Sequence, residues 1–315
     1  GVQAGQTSQA TVAIAIGYQA GFSAQGTNGI AIGALAGYSG QASGAIGIGQ
    51  QAGYNGQAVN AIGLGNLAGQ NGQRTGAVGI GFQAGATTQG TNAIAIGATA
   101  GQNSQQSGAI AIGYQSGYIG ATIGATLGQD VNAIAIGSNA GTTLQGASAI
   151  AIGSSTASTG QGANAIAIGS NAGQFTQGAN SIAIGNSAGK TGQVAGSIVI
   201  SASGTPFAVS NAGLYMTPIR NVTQTNTLGY NTTTNEVTYY STAVMAATGG
   251  DSTTTFFENG VQYRCHIFTT TGAFTLTVTS ISANAFFDFC IIGGGGVGGA
   301  GVGAGGHVAH MFTAS

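Results

Sequence analysis

Charge is scarce in this chain, and the scarcity excludes more than any motif does. Of 315 residues, 4 are Lys or Arg and 5 are Asp or Glu, where about a quarter is ordinary for a soluble domain. A nucleic-acid binder neutralises phosphates with a basic footprint, and four cations cannot supply one. Five carboxylates and three histidines leave little from which to build a metal or acid–base centre. Two cysteines are no disulfide framework. Tryptophan is missing, and the only two prolines, Pro206 and Pro218, fall in one region. No N-terminal stretch joins a basic start to an apolar core, so no signal peptide is legible. With 43% apolar residues, charge-driven disorder is excluded too. What is abundant is glycine, 61 residues of the total.

The glycines are periodic. Ala-Ile-Ala-Ile-Gly, or a near copy, ends at Gly17, Gly33, Gly49, Gly65, Gly81, Gly97 and Gly113, then at Gly137, Gly153, Gly169 and Gly185, with a worn twelfth copy at Ser201. Every spacing is 16 residues except Gly113 to Gly137, which is 24. Counting back from Gly17 lands on Gly1, so the chain is expected to start in register, part-way through a stack. Taking that glycine as position zero, position −3 is Ile eleven times and Val78 once, and position −1 is Ile eleven times and Leu64 once. Positions −4 and −2 hold Ala, Gly or Ser, apart from Val199. Alternation with period two is a strand signal. Asn and Gly, as at Asn28, Asn60 and Asn92, tolerate left-handed backbone angles and mark the corners.

Position −8 is Gln in all twelve copies: Gln9, Gln25, Gln41, Gln57, Gln73, Gln89, Gln105, Gln129, Gln145, Gln161, Gln177 and Gln193. Its neighbour at −7 varies among Ala10, Gly26, Arg74, Asp130 and Val194, so recent duplication does not account for the constancy. The reading is a ladder of amides bonded from coil to coil at ~4.8 Å spacing.

A unit of this size cannot bury an apolar face alone, but a stack of them can. The fold class is therefore all-β, a β-solenoid of 16-residue coils over 1–201, twelve coils or ~60 Å long. A Thr/Asn-rich connector over 202–247 and a small glycine-rich β region over 248–315 follow. The expected core is the Ile ranks facing the coil lumen: Ile14, Ile16, Ile94, Ile96, Ile110, Ile112, Ile166 and Ile168. The Ala/Gly side of the strand then faces outward, where it needs another protein surface, and identical repeats favour a symmetric homo-oligomer. The eight extra residues between Gly113 and Gly137 are expected to bulge from the stack.

Asn-Ala-Ile-Ala-Ile-Gly at 92–97, 132–137 and 164–169 resembles the head repeats of trimeric autotransporter adhesins. The resemblance covers 1–201 and implies a left-handed parallel β-roll and a homotrimer of such rolls side by side. The runs Leu214–Arg220 and Leu228–Tyr239 are similar to connectors of phage and giant-virus fibre proteins. The glycine-rich run from Gly293 to Gly301 resembles tip domains of tail fibres. Together these imply a structural and adhesive fibre or spike subunit on a virion surface or otherwise extracellular. Its partners would be itself, other virion or surface proteins, and a host surface receptor such as a glycan, with no nucleic acid. A bacterial cell-surface adhesin head is the alternative. Ice binding is remote, because the regular ranks are Ile, Ala and Gln rather than Thr.

The C-terminal region reads as short strands at Thr253–Phe257, Gln262–Thr269, Phe274–Thr279 and Ala285–Ile292. It also carries decoys. Gly293, Gly295 and Gly298 match the dinucleotide fingerprint, but that motif needs a following helix and an acid about 20 residues on. His307 and His310, with His266, Cys265 and Asp288 elsewhere, lack a second ligand pair. Ala285–Gly306 is apolar enough to suggest a membrane span, yet its glycines and Asp288 oppose insertion. Cys265 and Cys290 could face each other across strands. Asn221-Val-Thr223 and Asn231-Thr-Thr233 match the glycosylation sequon, a short pattern common by chance. No catalytic, cofactor or metal site is assigned, and the chain is not read as an enzyme.

Overall fold

The computed structural model describes residues 1–118, 128–206, 209–221, 226–241, 246–258, 261–267, 277–280, 286–292 and 307–313. They fall into two units, Gly1–Arg220 and Asn221–Ser315. Every regular element among the described residues is a β-strand.

The first unit is a parallel β-solenoid. Each coil gives one short strand, such as Ile94–Ile96, to a thirteen-stranded sheet. Pairing is in strict repeat register: Ile94 on Ile110, Ala95 on Ala111, Ile96 on Ile112. On the opposite side, strands ending in the constant Gln, such as Thr87–Gln89 and Asn103–Gln105, stack in the same way. The long coil does not disturb the main sheet, since Ile110 pairs with Ile134 and Ile112 with Ile136. On its other side, Gly117 N donates to Ala140 O at 2.9 Å and Gln105 reaches Gln129, both in repeat register. The surplus therefore falls within 119–127, outside the described residues.

The coil is tight because its corners are left-handed. The −5 residues Asn28, Asn92 and Asn164 have φ of 59°, 56° and 58°. The glycine at position zero is required twice over: Gly97 has φ of 125°, and a Cβ there would sit 2.6 Å from Gly113 O in the next coil.

The lumen overturns the expected core. None of Ile14, Ile16, Ile94, Ile96, Ile110, Ile112, Ile166 and Ile168 is buried in the chain; all lie on the outer face of their strands. The interior residues are Ala31, Ala95, Ala111, Ala135, Ala151, Ala167 and Ala183, each fully buried, with the small residues at −4 and the constant Gln. The physical reason is space. A Cβ placed on Gly101 would meet Gln105 Oε1 at 2.7 Å and the Ala95 Cβ at 3.2 Å. A lumen without room for one added methyl cannot take two isoleucines per coil. The expected outward Ala/Gly face is corrected with it, because that face is the interior.

The solenoid also runs one strand further than the expected boundary at Ser201. Leu214–Thr217 pairs in parallel with Ile198–Ser201, Ile198 on Leu214, sixteen residues on as before. Here the lumen is filled by larger groups. Val199 and Val209 are buried, and Tyr215 packs against them. A Val in place of the usual Ala, followed by a ring, closes the narrow interior off as a cap does in repeat proteins.

In the second unit all strand pairs are antiparallel: Asn226–Asn231 with Glu236–Ser241, Ala246–Thr248 with Thr277–Ser280, Ser252–Glu258 with Val261–Ile267, and Phe286–Ile292 with His307–Thr313. Ser252–Glu258, Val261–Ile267, Thr277–Ser280 and Phe286–Ile292 fall on the four strands expected there, where those are described, while Ala246–Thr248 and His307–Thr313 are strands the sequence reading did not expect.

Candidate functional site

The feature that dominates the first unit is its outer Ile face. Side chains alternate along a strand, so with Ala inside, both Ile ranks must stand outside. Position −1 is the more open of the two: Ile96, Ile152, Ile168 and Ile184 are between 36% and 38% exposed. This rank continues through Ile200 to Met216 in the last strand, and the −3 rank through Ile198 to Leu214. No strand of this sheet carries a charged residue. The result is an uncharged apolar strip along the length of the sheet, roughly 60 Å for thirteen strands ~4.8 Å apart. Soluble monomers rarely expose contiguous apolar patches beyond a few hundred Å² unless they bind something there.

Behind the strip stands the Gln ladder. From Gln9 to Gln105 each amide Nε2 donates to Oε1 of the Gln one coil on, at 3.0–3.2 Å, and the long coil does not interrupt the run, which reaches Gln129. From Gln25 on, each Nε2 also reaches two carbonyls of the Ile-bearing turn. Gln89 donates to Val78 O at 2.7 Å and to Ala93 O at 3.1 Å. From Gln25 on, every ladder Gln is buried. Past Gln129 the run is patchy: Gln161 donates to Gln177, while Oε1 of Gln145, Gln161 and Gln193 has no partner. Their Nε2 atoms keep both carbonyl bonds. The ladder ties the Gln side of each coil to the carbonyls of its Ile-bearing strand. It belongs to the scaffold rather than to a reactive centre.

Sequence reasoning missed a second ladder. At position +5, Phe22, Tyr38 and Tyr54 stack with ring centroids 5.0 Å apart and planes within 10°. Three aromatics exactly one period apart were the signal available. Two open grooves, of about 320 and 460 Å³, flank Asp130 and Arg74 and are lined mainly by Gly, Ala, Thr and Gln.

The decoys fare as follows. Gly293, Gly295 and Gly298 lie outside the described residues, and His307–Thr313 further on forms a β-strand. The same strand carries His307 and His310. Among the described residues no group of three or more His, Cys, Asp or Glu converges as metal ligands would. Cys265 is opposite Thr254 and Cys290 opposite Ala309, in separate two-stranded sheets, so the two are not cross-strand partners. Phe286–Ile292 of the apolar stretch is an antiparallel strand, and no helix among the described residues is long and apolar enough to cross a membrane. Asn231 caps its own turn, its Oδ1 accepting from the backbone N–H of Thr233 at 2.9 Å and Thr234 at 3.2 Å; Asn221 is exposed.

Compared with protein-family models, with curated proteins and with solved structures, the chain matches none.

Proposed function

We propose that this chain is a structural subunit of a homotrimeric fibre or spike, in which the solenoid is the shaft and attachment, not catalysis, is the work. The observation that carries the reading is the outer Ile face. An uncharged apolar strip of this length is stabilised by leaving water, and the simplest surface of matching length is the same strip on another copy. Closed cyclic pairing buries it without leading to open aggregates. The assembly surface is thus the Ile side of the strand, and the buried Ala side supports it from behind. The adhesin-head resemblance of the repeats supports three chains with parallel axes. The resemblance of Leu228–Tyr239, beyond the last solenoid strand, to fibre connectors favours a virion surface over a bacterial one, with other virion proteins and a host receptor as partners at the ends.

The test is solution mass. Light scattering at micromolar concentration is expected to give about three times the 30.2 kDa of the chain. A stable monomer would overturn the proposal.

A further inference from the structure

The hairpin of Asn226–Asn231 and Glu236–Ser241 has an apolar face of its own. Its register sets Leu228 opposite Tyr239 and Tyr230 opposite Val237. Directly opposed residues of an antiparallel pair stand on the same side, and so do residues two apart. All four side chains therefore share one face, and the chain leaves them 59% to 73% exposed. By register the other face carries Thr227, Gly229 and Asn231 on one strand and Glu236, Thr238 and Tyr240 on the other, so it is mixed and holds the only carboxylate of the hairpin. The turn is well closed: Tyr230 donates its hydroxyl to Asn235 Oδ1 at 2.9 Å, and Asn235 takes the left-handed φ of 59° that the reversal needs. Two strands by themselves are marginal in water, so a hairpin formed this regularly with a bare apolar face wants a cover.

We infer that this face packs against the same face of other copies of the chain and fixes their axial register; the inference rests on the self-association proposed above. The solenoid face repeats every sixteen residues, and one chain can slide past its neighbours by one coil, ~4.8 Å, while keeping all but an end coil's contacts. Little in a run of Ile ranks distinguishes one coil from the next beyond Leu64, Val78 and the terminal Leu214 and Met216. An aperiodic element that must meet its own copies removes the ambiguity. The hairpin fits that role by its chemistry. Its apolar face has no charged residue, and the single carboxylate, Glu236, is on the other side, so copies can meet without like-charge repulsion. A larger group lies beside a smaller one in each opposed pair, Tyr239 by Leu228 and Tyr230 by Val237, which lets identical faces interdigitate.

The experiment uses the full chain with Cys265→Ser and Cys290→Ser, carrying either Leu228→Cys on the apolar face or Thr238→Cys on the opposite one. After mild oxidation, Leu228→Cys is expected to run as covalent dimers on a non-reducing gel and Thr238→Cys as single chains. Tyr239→Cys provides an independent apolar-face position and should behave as Leu228→Cys does. Light scattering on the same samples separates the two levels of the argument. An oligomer in which neither apolar-face cysteine cross-links, or in which Thr238→Cys cross-links equally, overturns the hairpin contact and leaves the solenoid reading standing. A monomer overturns both.

Discussion

The two sides of the Ile-X-Ile strand share a backbone and differ in what they tolerate. On the inner side, positions −4 and −2 admit nothing larger than Ala or Ser until Val199, where the lumen is closed. On the outer side, Ile gives way to Val78 and Leu64 without disturbing the ladder, since Ile62 pairs with Val78 and Leu64 with Ile80 in register. The comparison teaches that the tighter constraint is on size, not on apolarity. A narrow solenoid excludes bulk from its interior and displays it outside, where an ordinary sheet would do the reverse. The usual rule that the larger apolar group is the buried one holds only where the space can take it.

The sharpest way to break the comparison is to exchange what each side carries. Ala95→Leu adds three carbons to a lumen in which the Ala95 Cβ is already 3.2 Å from where a Cβ on Gly101 would lie. Overpacking of this kind should cost about 3 kcal/mol or more, because the flanking coils cannot move apart without breaking their own ladders. Ile94→Ala removes as much carbon from the outer side and opens no internal cavity. In chemical denaturation Ala95→Leu should therefore lower the midpoint well beyond Ile94→Ala, when both are measured below the association concentration. The opposite ranking would return the lumen to the isoleucines.

A smaller effect is expected from the ladder. Gln89→Leu removes the donor to Val78 O, Ala93 O and Gln105 Oε1 and the acceptor of Gln73 Nε2. Leaving buried polar groups unpaired costs roughly 2–3 kcal/mol in all if the coil relaxes around them. Gln193→Leu deletes only two carbonyl bonds, and Gln193 Oε1 has no partner to lose. Thermal unfolding should thus separate the two variants, Gln89→Leu being the worse. Equal losses would mean that the coil-to-coil amide links add nothing to the bonds each Gln makes to the strand carbonyls.

Much of this fold was legible because repetition amplifies weak signals. The period, the short strands, the corner residues and the Gln ladder each follow from twelve nearly identical copies, and the stacking register can be nothing but the repeat itself. The facing of the strand was not legible by hydrophobicity alone, since alternation says that Ile and Ala face opposite ways but not which way is in. The discriminating signal was the ceiling on residue size at −4 and −2, together with an invariant Gln that had to be buried within reach of strand carbonyls. The thirteenth strand was hidden for a related reason. Leu214, Tyr215 and Met216 keep the spacing and the apolar outer rank, but Tyr215 at an Ala position looks like the end of the pattern, when it is the plug that ends the lumen.

The outer face gives the gentlest test for the single chain and the most specific one for assembly. Ile96 and Ile152 are 37% and 36% exposed and lie three coils apart on the −1 rank. Replacing both by Lys places each ammonium on a flexible stem that can reach water in an isolated chain, so the cost to the solenoid itself should be about 1 kcal/mol or less per site. In an assembly closed through this face the same two groups would be taken out of water without a partner, a far heavier penalty than the chain itself bears. The double variant should keep the parent's far-ultraviolet circular dichroism while its mass by light scattering falls toward 30.2 kDa. The paired control, Thr88→Lys with Thr176→Lys on the opposite, exposed side of the coil, should leave the mass unchanged. If the Ile variant stays assembled, the copies meet elsewhere and the Ile strip serves another surface. If the control dissociates as readily, added charge rather than the position of the face governs association.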